Sequence, residues 1–489
     1  MTTEREKHFN LWKVGTQQLQ VSFDGGRIVS DAGLLGVRAL EKPLRVIAGL
    51  AELLPDPRSP KFIHHSVEAI LTQEVYQILA GYPDFNDAQT LRKDPLFQIL
   101  ADVSPDAEEP LASGSTLARF QYGYTRRQAE LPLEERPVLL EVRAAQLGRI
   151  EILNNYRVDK FIQTRRTPPP EIVLDVDATD DPTHGQQTLS GYHGYYRQHQ
   201  YLPLLVYDGA TGFPLAAWLR PGTVHASCGA VEVLKVIVPK LRAAWPGVRI
   251  LVRSDNGLAV PAMYDYCESE GLLYAFGYAS NAVLQQATAQ ALADLELYYA
   301  FYQHREATVQ RFEDVTDYQA ESWPHPRRIV AKIEITPQGS QRRFVVHNLP
   351  EAPEQVYRGF YVKRGGVPEH PIGEMKNGLK ADRLSACSFS ANAFRLLVHT
   401  LAYAIVVLFR EAVAGVPELA TATVSTLRQR LWKIGAVVLT GVRRIWLRVS
   451  ETWPCRALWV RVLEAVQRFV AQLRREEAPD SAGAGALLL

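Results

Sequence analysis

The chain has 489 residues and a formal net charge of +1, with 47% hydrophobic and 22% charged residues. That length and balance exclude a disordered or low-complexity chain and call for two to four domains, each with its own core. Near-neutral charge also excludes a uniformly basic surface, so any face that binds a polyanion must be local and offset by acids elsewhere.

In chain order, the N-terminal MTTEREKHF is charged and lacks the apolar stretch of a signal peptide. A short hairpin is expected around Asp24-Gly25-Gly26. The rest of residues 1–165 reads as a helical domain, because LLGVRALEKPLRVIAGLAELL and HHSVEAILTQEVYQILAGY repeat apolar residues at helical spacing. Ser115 and Thr116 precede an apolar, basic run, the mark of a helix start, which puts Arg119 on that helix, with Arg126 and Arg127 further on. The Pro-rich RRTPPPE (165–171) reads as a linker.

From Glu171 the pattern changes to strands. In EIVLDVDATDD, Ile172, Leu174 and Val176 alternate with Val173, Asp175 and Asp177, so the two aspartates share one side of a strand. HQYLPLLVYDG and GFPLAAWLR follow as a hairpin joined by Gly209-Ala210-Thr211-Gly212. CGAVEVLKVIVPKLRAAW has the spacing of an amphipathic helix, VRILVRSD is a fourth strand ending at Asp255, and LLYAFGYA is a fifth after a further helix. A β-β-β-α-β order with acids closing the first and fourth strands is that of an RNase H-like core. The expected fold class is therefore α/β: an RNase H-like mixed sheet with a β-rich insertion, flanked by helical N- and C-terminal regions. Its first part spans 171–280, the insertion 281–350 (TVQRFED, RRIVAKIEIT, RRFVVHNL) and the second part 351–410. Leu396 to Phe409 is too short an apolar run to span a bilayer and contains His399, so it reads as a buried helix, with no membrane contact. Residues 411–489 read as a helical region ending in a disordered tail, DSAGAGALLL. The four cysteines, Cys228, Cys267, Cys387 and Cys455, form no CxxC pair, which points away from a zinc site or disulfide framework and toward a reducing, cytoplasmic setting.

Carboxylates matter here because divalent cations take hard oxygen ligands, and two ions about 4 Å apart can hold the attacking and leaving oxygens of a phosphodiester. Asp177 and Asp255 are the first two candidates, with Asp175 the fallback for the first. A pair of acids at a strand end is more often turn chemistry, and Asp255-Asn256-Gly257 has the make-up of a plain turn. Asp180 and Asp181 read as capping groups of the loop, while His184 and His193 are more often hydrogen-bonders than ligands. Arg428, Arg430, Lys433, Arg443, Arg444 and Arg448 form a basic run on the expected C-terminal helices, either a solvated face or a phosphate track. No Gly-rich phosphate loop occurs, so no organic cofactor is implied.

These segments carry a family resemblance. LDVDATDDPTHGQQ, VRSDNG, SWPHPRRIVAKIE, RRFVVHNL and YVKRGGVPEHPIGEMK, with ADRLSACSFSANAFRLLVHTLAYAI after them, resemble in order the bacterial insertion-sequence DDE transposases marked by a Tyr-Arg-Glu-Lys signature. The resemblance spans roughly residues 10 to 475. It implies metal-dependent cleavage at element ends and strand transfer into target DNA (cut-and-paste), with Asp177, Asp255 and Glu369 as catalytic and metal-binding acids for two Mg²⁺, Mn²⁺ substituting. It assigns the signature to Tyr361, Arg364, Glu369 and Lys376, and implies DNA contacts by Tyr361, Arg364, Lys376 and Trp323; the basic residues Arg119, Arg126 and Arg127 are, from the sequence itself, further candidates for binding terminal repeats. Trp323, matched to a base-stacking position, has the alternative of a core tryptophan. Four residues separate Arg364 from Glu369 where the family usually has three, and Pro371 as the first helical residue would leave Glu369 ahead of the helix and Glu374 on it. The seven-residue step from Glu369 to Lys376 favours Glu369, with Glu374 as the other reading. Implied partners are double-stranded DNA, both terminal inverted repeats and target, and a second copy of the chain in a homodimeric DNA complex; the implied location is the bacterial nucleoid. A catalytically silent DNA-binding descendant, or a nuclease without strand transfer, are the alternatives.

Overall fold

The computed structural model describes residues 8–107, 109–123, 136–165, 167–302, 307–364, 371–419 and 421–477, the side chains of 136–146 excepted. The chain divides into two compact units, one of Met1–Glu52, Asp56–Phe120 and Phe409–Leu489, the other of Leu53–Pro55 and Gln121–Leu408. Arg126, Arg127 and the expected disordered tail lie outside the described residues.

In the first unit, β1 (Phe9–Val14) and β2 (Gln17–Val21) form an antiparallel hairpin. Its turn is at Gly15, with φ 61°, a conformation glycine adopts without Cβ conflict. The hairpin expected at Asp24-Gly25-Gly26 is thus displaced: those residues lead into β3 (Ile28–Val29), which pairs with Ala436–Gly441. Ala436–Gly441 and Arg444–Val449 form an antiparallel hairpin, not the expected helix. Their β-branched and aromatic residues, bracketed by Gly435 and Gly441, favour a pleated surface over helix periodicity. Helices Leu34–Leu44, Val67–Ala80 and Arg456–Glu477 supply the rest; Ser66 caps the second by accepting from the Ala69 amide at 3.1 Å.

The second unit is built on an eight-stranded sheet. Its strands are β4 (Glu171–Ala178), β8 (Leu204–Asp208), β9 (Pro214–Trp218), β10 (Arg249–Ser254), β11 (Leu273–Tyr278), β12 (Val309–Tyr318), β13 (Arg327–Thr336) and β14 (Gly339–His347). Between β4 and β8 lie β5 (Asp181–Pro182), β6 (Gly191–His193) and β7 (Gln198–Tyr201), a separate three-stranded sheet in the order β5-β7-β6. The large sheet runs β12-β13-β14-β11-β10-β4-β8-β9, with β10 parallel to both β4 and β11 and every other pair antiparallel. The first five strands in sequence therefore stand as expected for an RNase H-like core, with the first beside the fourth. The β8–β9 turn is an Asp-centred one: Thr211 donates its amide and hydroxyl to the Asp208 carboxylate, at 3.0 and 2.5 Å, and Gly212 sits at φ 74°.

The helix Ala230–Ala244 buries Ala230, Val233, Leu234, Ile237, Val238 and Leu241, the i, i+3, i+4, i+7 stripe read from its sequence. Strands β12 to β14 are not the separate insertion subdomain expected for 281–350. They continue the large sheet, β14 pairing antiparallel with β11 from Ala275↔His347 to Tyr278↔Phe344. The helix Ala289–Phe301 rests on them through Leu295 against Ile333 and Ile335. Phe389–Ala412 is long and apolar enough to cross a membrane, but its apolar 18-residue window is wholly buried in the fold and acts as a core helix.

Candidate active site

Parallel pairing decides the geometry. Because β4 and β10 run the same way with Arg253 opposite Asp175, their C-terminal ends open on one edge of the sheet. Asp177 and Asp255 each lie two residues beyond that last pair on the same edge, close enough that the charge of Asp255 acts on the Asp177 carboxyl. Asp177 is largely buried, and its carboxyl is pushed up to about 6, by burial first, with the charges of Asp255 and Asp175 adding to the rise and that of Arg364 opposing it. Asp255 caps the short 3-10 turn Asn256–Leu258, one carboxylate oxygen accepting from the Gly257 amide at 2.9 Å. It is thus both the turn residue its sequence suggested and a neighbour of Asp177.

Asp175 is committed elsewhere. Arg253 donates to it through Nε at 2.6 Å and Nη2 at 2.8 Å, and through Nη1 to the Phe360 carbonyl at 2.8 Å, with its guanidinium 5.1 Å from the Phe360 ring centre. Planar bidentate pairing of this kind is strong and directional. It removes Asp175 as a stand-in for Asp177 and ties the π-helical turn Gln355–Phe360 to the sheet. That turn also packs through Val356 and Tyr357 on Leu251, Ala275, Val330 and Val345. Directly after it come Tyr361 and Arg364.

Tyr361 lies against Gly277 of β11: a Cβ there would stand 2.6 Å from the tyrosine hydroxyl and 3.1 Å from the Asn256 amide nitrogen. Its hydroxyl is held above the usual tyrosine range, by burial and then by Tyr357 and Asp255, against the pull of Arg364. Arg364 stands 6.0 Å from the Tyr361 ring centre, and its buried Nη1 has no hydrogen-bond partner among the described residues. A buried guanidinium donor of this kind, close to carboxylates, suits a phosphate oxygen. Glu369 falls outside the described residues. Glu374 is buried on the π-helical turn Glu374–Gly378. Lys376 of that turn is ion-paired to Asp180 at 2.8 Å, and Asp180 also accepts from Gln198 at 3.0 Å.

Several expectations change. Asp180 and Asp181 are not loop caps: the first is the Lys376 partner, and the second is buried on β5, its carboxyl well above the usual range through burial. Trp323 is 5% exposed and packs edge-on against Tyr264, Tyr278 and Tyr318, each at 5.4 Å, with Arg327 over its face at 5.3 Å. It is a core residue, and a ring so enclosed has no face left for a base. Arg428 and Lys433 are structural rather than part of a free basic track: Arg428 donates to the Leu79 carbonyl at 2.9 Å, and Lys433 bridges Asp31 and the Tyr82 hydroxyl. Arg443, Arg444 and Arg448 lie on the terminal hairpin or its turn, and Arg119 is exposed on the helix Gly114–Gln121. Sequence reading missed Arg253 and Gly277. Arg253 carried a signal, a second arginine after Arg249 that closes the apolar run Ile250-Leu251-Val252 just ahead of Asp255.

The profile of the family described as Transposase DDE domain group 1 matches residues 12–471. The chain belongs to that family. It is a DDE-type DNA transposase. Among solved structures, the cryo-EM structure of a piggyBac transposase synaptic complex with hairpin DNA is similar to the transposase over 93% of this chain and 83% of that one, at 11% identity and a TM-score of 0.43. No curated protein sequence matches it. DDE transposases act on DNA and use divalent metals. The donor set here fits such ions: two neighbouring carboxylates, the charged form of one disfavoured by burial and by the other's charge, which a bound cation would offset. Among the described residues no group of three His, Cys, Asp or Glu side chains converges on one point.

Proposed function

We propose that the transposase cuts at both ends of its element and joins them to target DNA, with Asp177, Asp255 and Glu369 as its acidic triad. The observation that carries this reading is the convergence of Asp177 and Asp255 at the ends of the parallel pair β4 and β10. Two Mg²⁺ held by these acids, for which Mn²⁺ can substitute, supply the Lewis acidity and the acidified water that phosphodiester hydrolysis needs. Arg364, whose Nη1 has no hydrogen-bond partner among the described residues, takes a non-bridging oxygen of the scissile phosphate. Tyr361, seated on Gly277, orients the neighbouring phosphate, and Lys376 contacts the strand once it leaves Asp180. Such contacts position DNA rather than read it. Arg119 serves the terminal inverted repeats, and two copies of the chain act together because two ends must be joined. The working location is the nucleoid.

A supercoiled plasmid carrying two element ends, incubated with protein and Mg²⁺, tests the reading. Cleavage followed by joining is expected, and loss of both in Asp177→Asn and Asp255→Asn with end binding retained. Cutting without joining would make the protein a nuclease, and binding without cutting a silent descendant. Comparing Glu369→Gln with Glu374→Gln identifies the third acid: inactivity confined to the second would move the assignment to Glu374.

A further inference from the structure

The loop between the first two strands of the large sheet carries a feature the cleavage chemistry does not use. In Gly191-Tyr192-His193-Gly194-Tyr195-Tyr196-Arg197, three tyrosines crowd a seven-residue hairpin, and no carboxylate occurs between Asp181 and Asp208. The strands β6 and β7 pair from Gly191↔Gln200 to His193↔Gln198, and the turn closes with the Arg197 amide donating to the His193 carbonyl at 2.8 Å. Arg197 takes φ 55°, a left-handed conformation unusual for a residue with a side chain.

The base of this hairpin is fixed. A Cβ at Gly222 would stand 1.9 Å from the Gln200 carbonyl oxygen, so that backbone is packed in contact, and the Tyr201 hydroxyl donates to the Thr188 carbonyl at 2.8 Å. Gln198 holds Asp180, the partner of Lys376. The tip, in contrast, is open: Tyr195 is 84% exposed and Tyr192 56%. Tyr195 meets Tyr196 edge-on with ring centres 5.0 Å apart, and His193 backs Tyr196 at 5.1 Å. Gln198 also locates the platform. Its Nε2 donates at 3.0 Å to Asp180, three residues after Asp177, so the hairpin stands at the strand end that carries the first proposed acid.

A rigid base, bare aromatic faces, an arginine and no acid next to a phosphodiester-cutting centre are the components of a single-strand platform, where bases stack on π-faces and a cation meets the backbone. We infer that the β6–β7 hairpin, through Tyr195 and Tyr192 with Arg197, stacks an unpaired nucleobase of the strand that enters the active site. This rests on the cleavage reading above. Tyr196, wedged between His193 and Tyr195, positions the platform rather than offering a face of its own.

Stacking is tolerant of base identity, so the test needs no knowledge of the element ends. The probe is a forked DNA of mixed sequence, with 2-aminopurine in its single-stranded arm, titrated into full-length protein carrying Asp255→Ala so that no cutting intervenes. Quenching of the probe is expected with intact tyrosines and with Tyr195→Phe. In Tyr192→Ala/Tyr195→Ala the quenching should vanish and affinity for the fork drop about tenfold, with affinity for a fully paired duplex unchanged. Equal quenching and affinity in all variants, or no quenching with intact tyrosines, overturns the inference. An unchanged melting temperature shows that the exposed substitutions leave the fold intact. The plasmid assay fails separately if the cleavage reading is wrong, since the fork reports stacking without any cut.

Discussion

Arg253 and Asp175 are paired two residues short of Asp255 and Asp177, the proposed catalytic aspartates, on adjacent parallel strands, with donor–acceptor distances of 2.6 and 2.8 Å. Both side chains are largely buried. The pair is therefore a clamp across the strands whose ends must meet, and its third hydrogen bond, to the Phe360 carbonyl, fixes the segment that delivers Tyr361 and Arg364.

Removing one partner of that clamp leaves the other as an uncompensated buried charge. Arg253→Met should destabilise the protein by about 3–5 kcal/mol. Arg253→Lys cannot restore the planar fork, so it should retain part of the stability yet lose most cleavage. Denaturant midpoints and the plasmid assay on the same preparations measure the two effects. Full activity in Arg253→Lys would show that the clamp does not place the signature residues.

Gly277 serves by lacking a side chain. In Gly277→Ala the new Cβ would meet the Tyr361 hydroxyl at 2.6 Å, so the tyrosine must move away from Asp255 and cleavage should fall about tenfold or more. Combining it with Tyr361→Phe removes the clashing oxygen. The double variant should then be no worse than Tyr361→Phe alone, and additive losses would disprove the cradle.

Lys376 is held by Asp180, so the DNA contact proposed for it requires that ion pair to open. Asp180→Asn should tighten end binding, whereas Lys376→Ala should weaken it and reduce the slope of log affinity against log salt by about one unit. Salt titrations of the three proteins decide between a mobile lysine and one that stays with its carboxylate, in which case the slopes coincide.

His399 on the core helix donates its Nδ1–H to the Arg395 carbonyl at 3.0 Å, and burial, followed by the nearby Arg395 charge, pushes its pKa down to about 3 from 6.5. Below pH 6.5 the unfolded chain takes up a proton that the folded chain refuses. Stability is thus fully present above 6.5 and declines as pH falls toward 3. Urea midpoints between pH 4.5 and 7.5 should show that decline, and His399→Leu should flatten it.

Much of the site was legible because its determinants are local. Alternation in EIVLDVD, the acid closing VRILVRSD and the Asp208–Gly212 turn each declare themselves within a few residues. What escaped depends on pairing at a distance. Nothing near Arg253 states that its partner is Asp175, and nothing near Trp323 tells an enclosed ring from an exposed one until Tyr264, Tyr278 and Tyr318 surround it. The segment 436–449 was misread for a different reason: a short apolar run has no period that separates strand from helix.

Strand β11 has β10 on one side and β14 on the other, although about sixty residues of chain separate β11 from β14. Excising 281–347 would strip β11 of half its ladder and bare a row of amides and carbonyls beside Gly277, the residue on which Tyr361 rests. What looks in the sequence like removable cargo is the flank that keeps the catalytic edge from becoming an open, adhesive border. Relatives that shorten this stretch must supply another strand or lid for β11, and grafting it between members of the family would transplant part of the sheet, not an accessory.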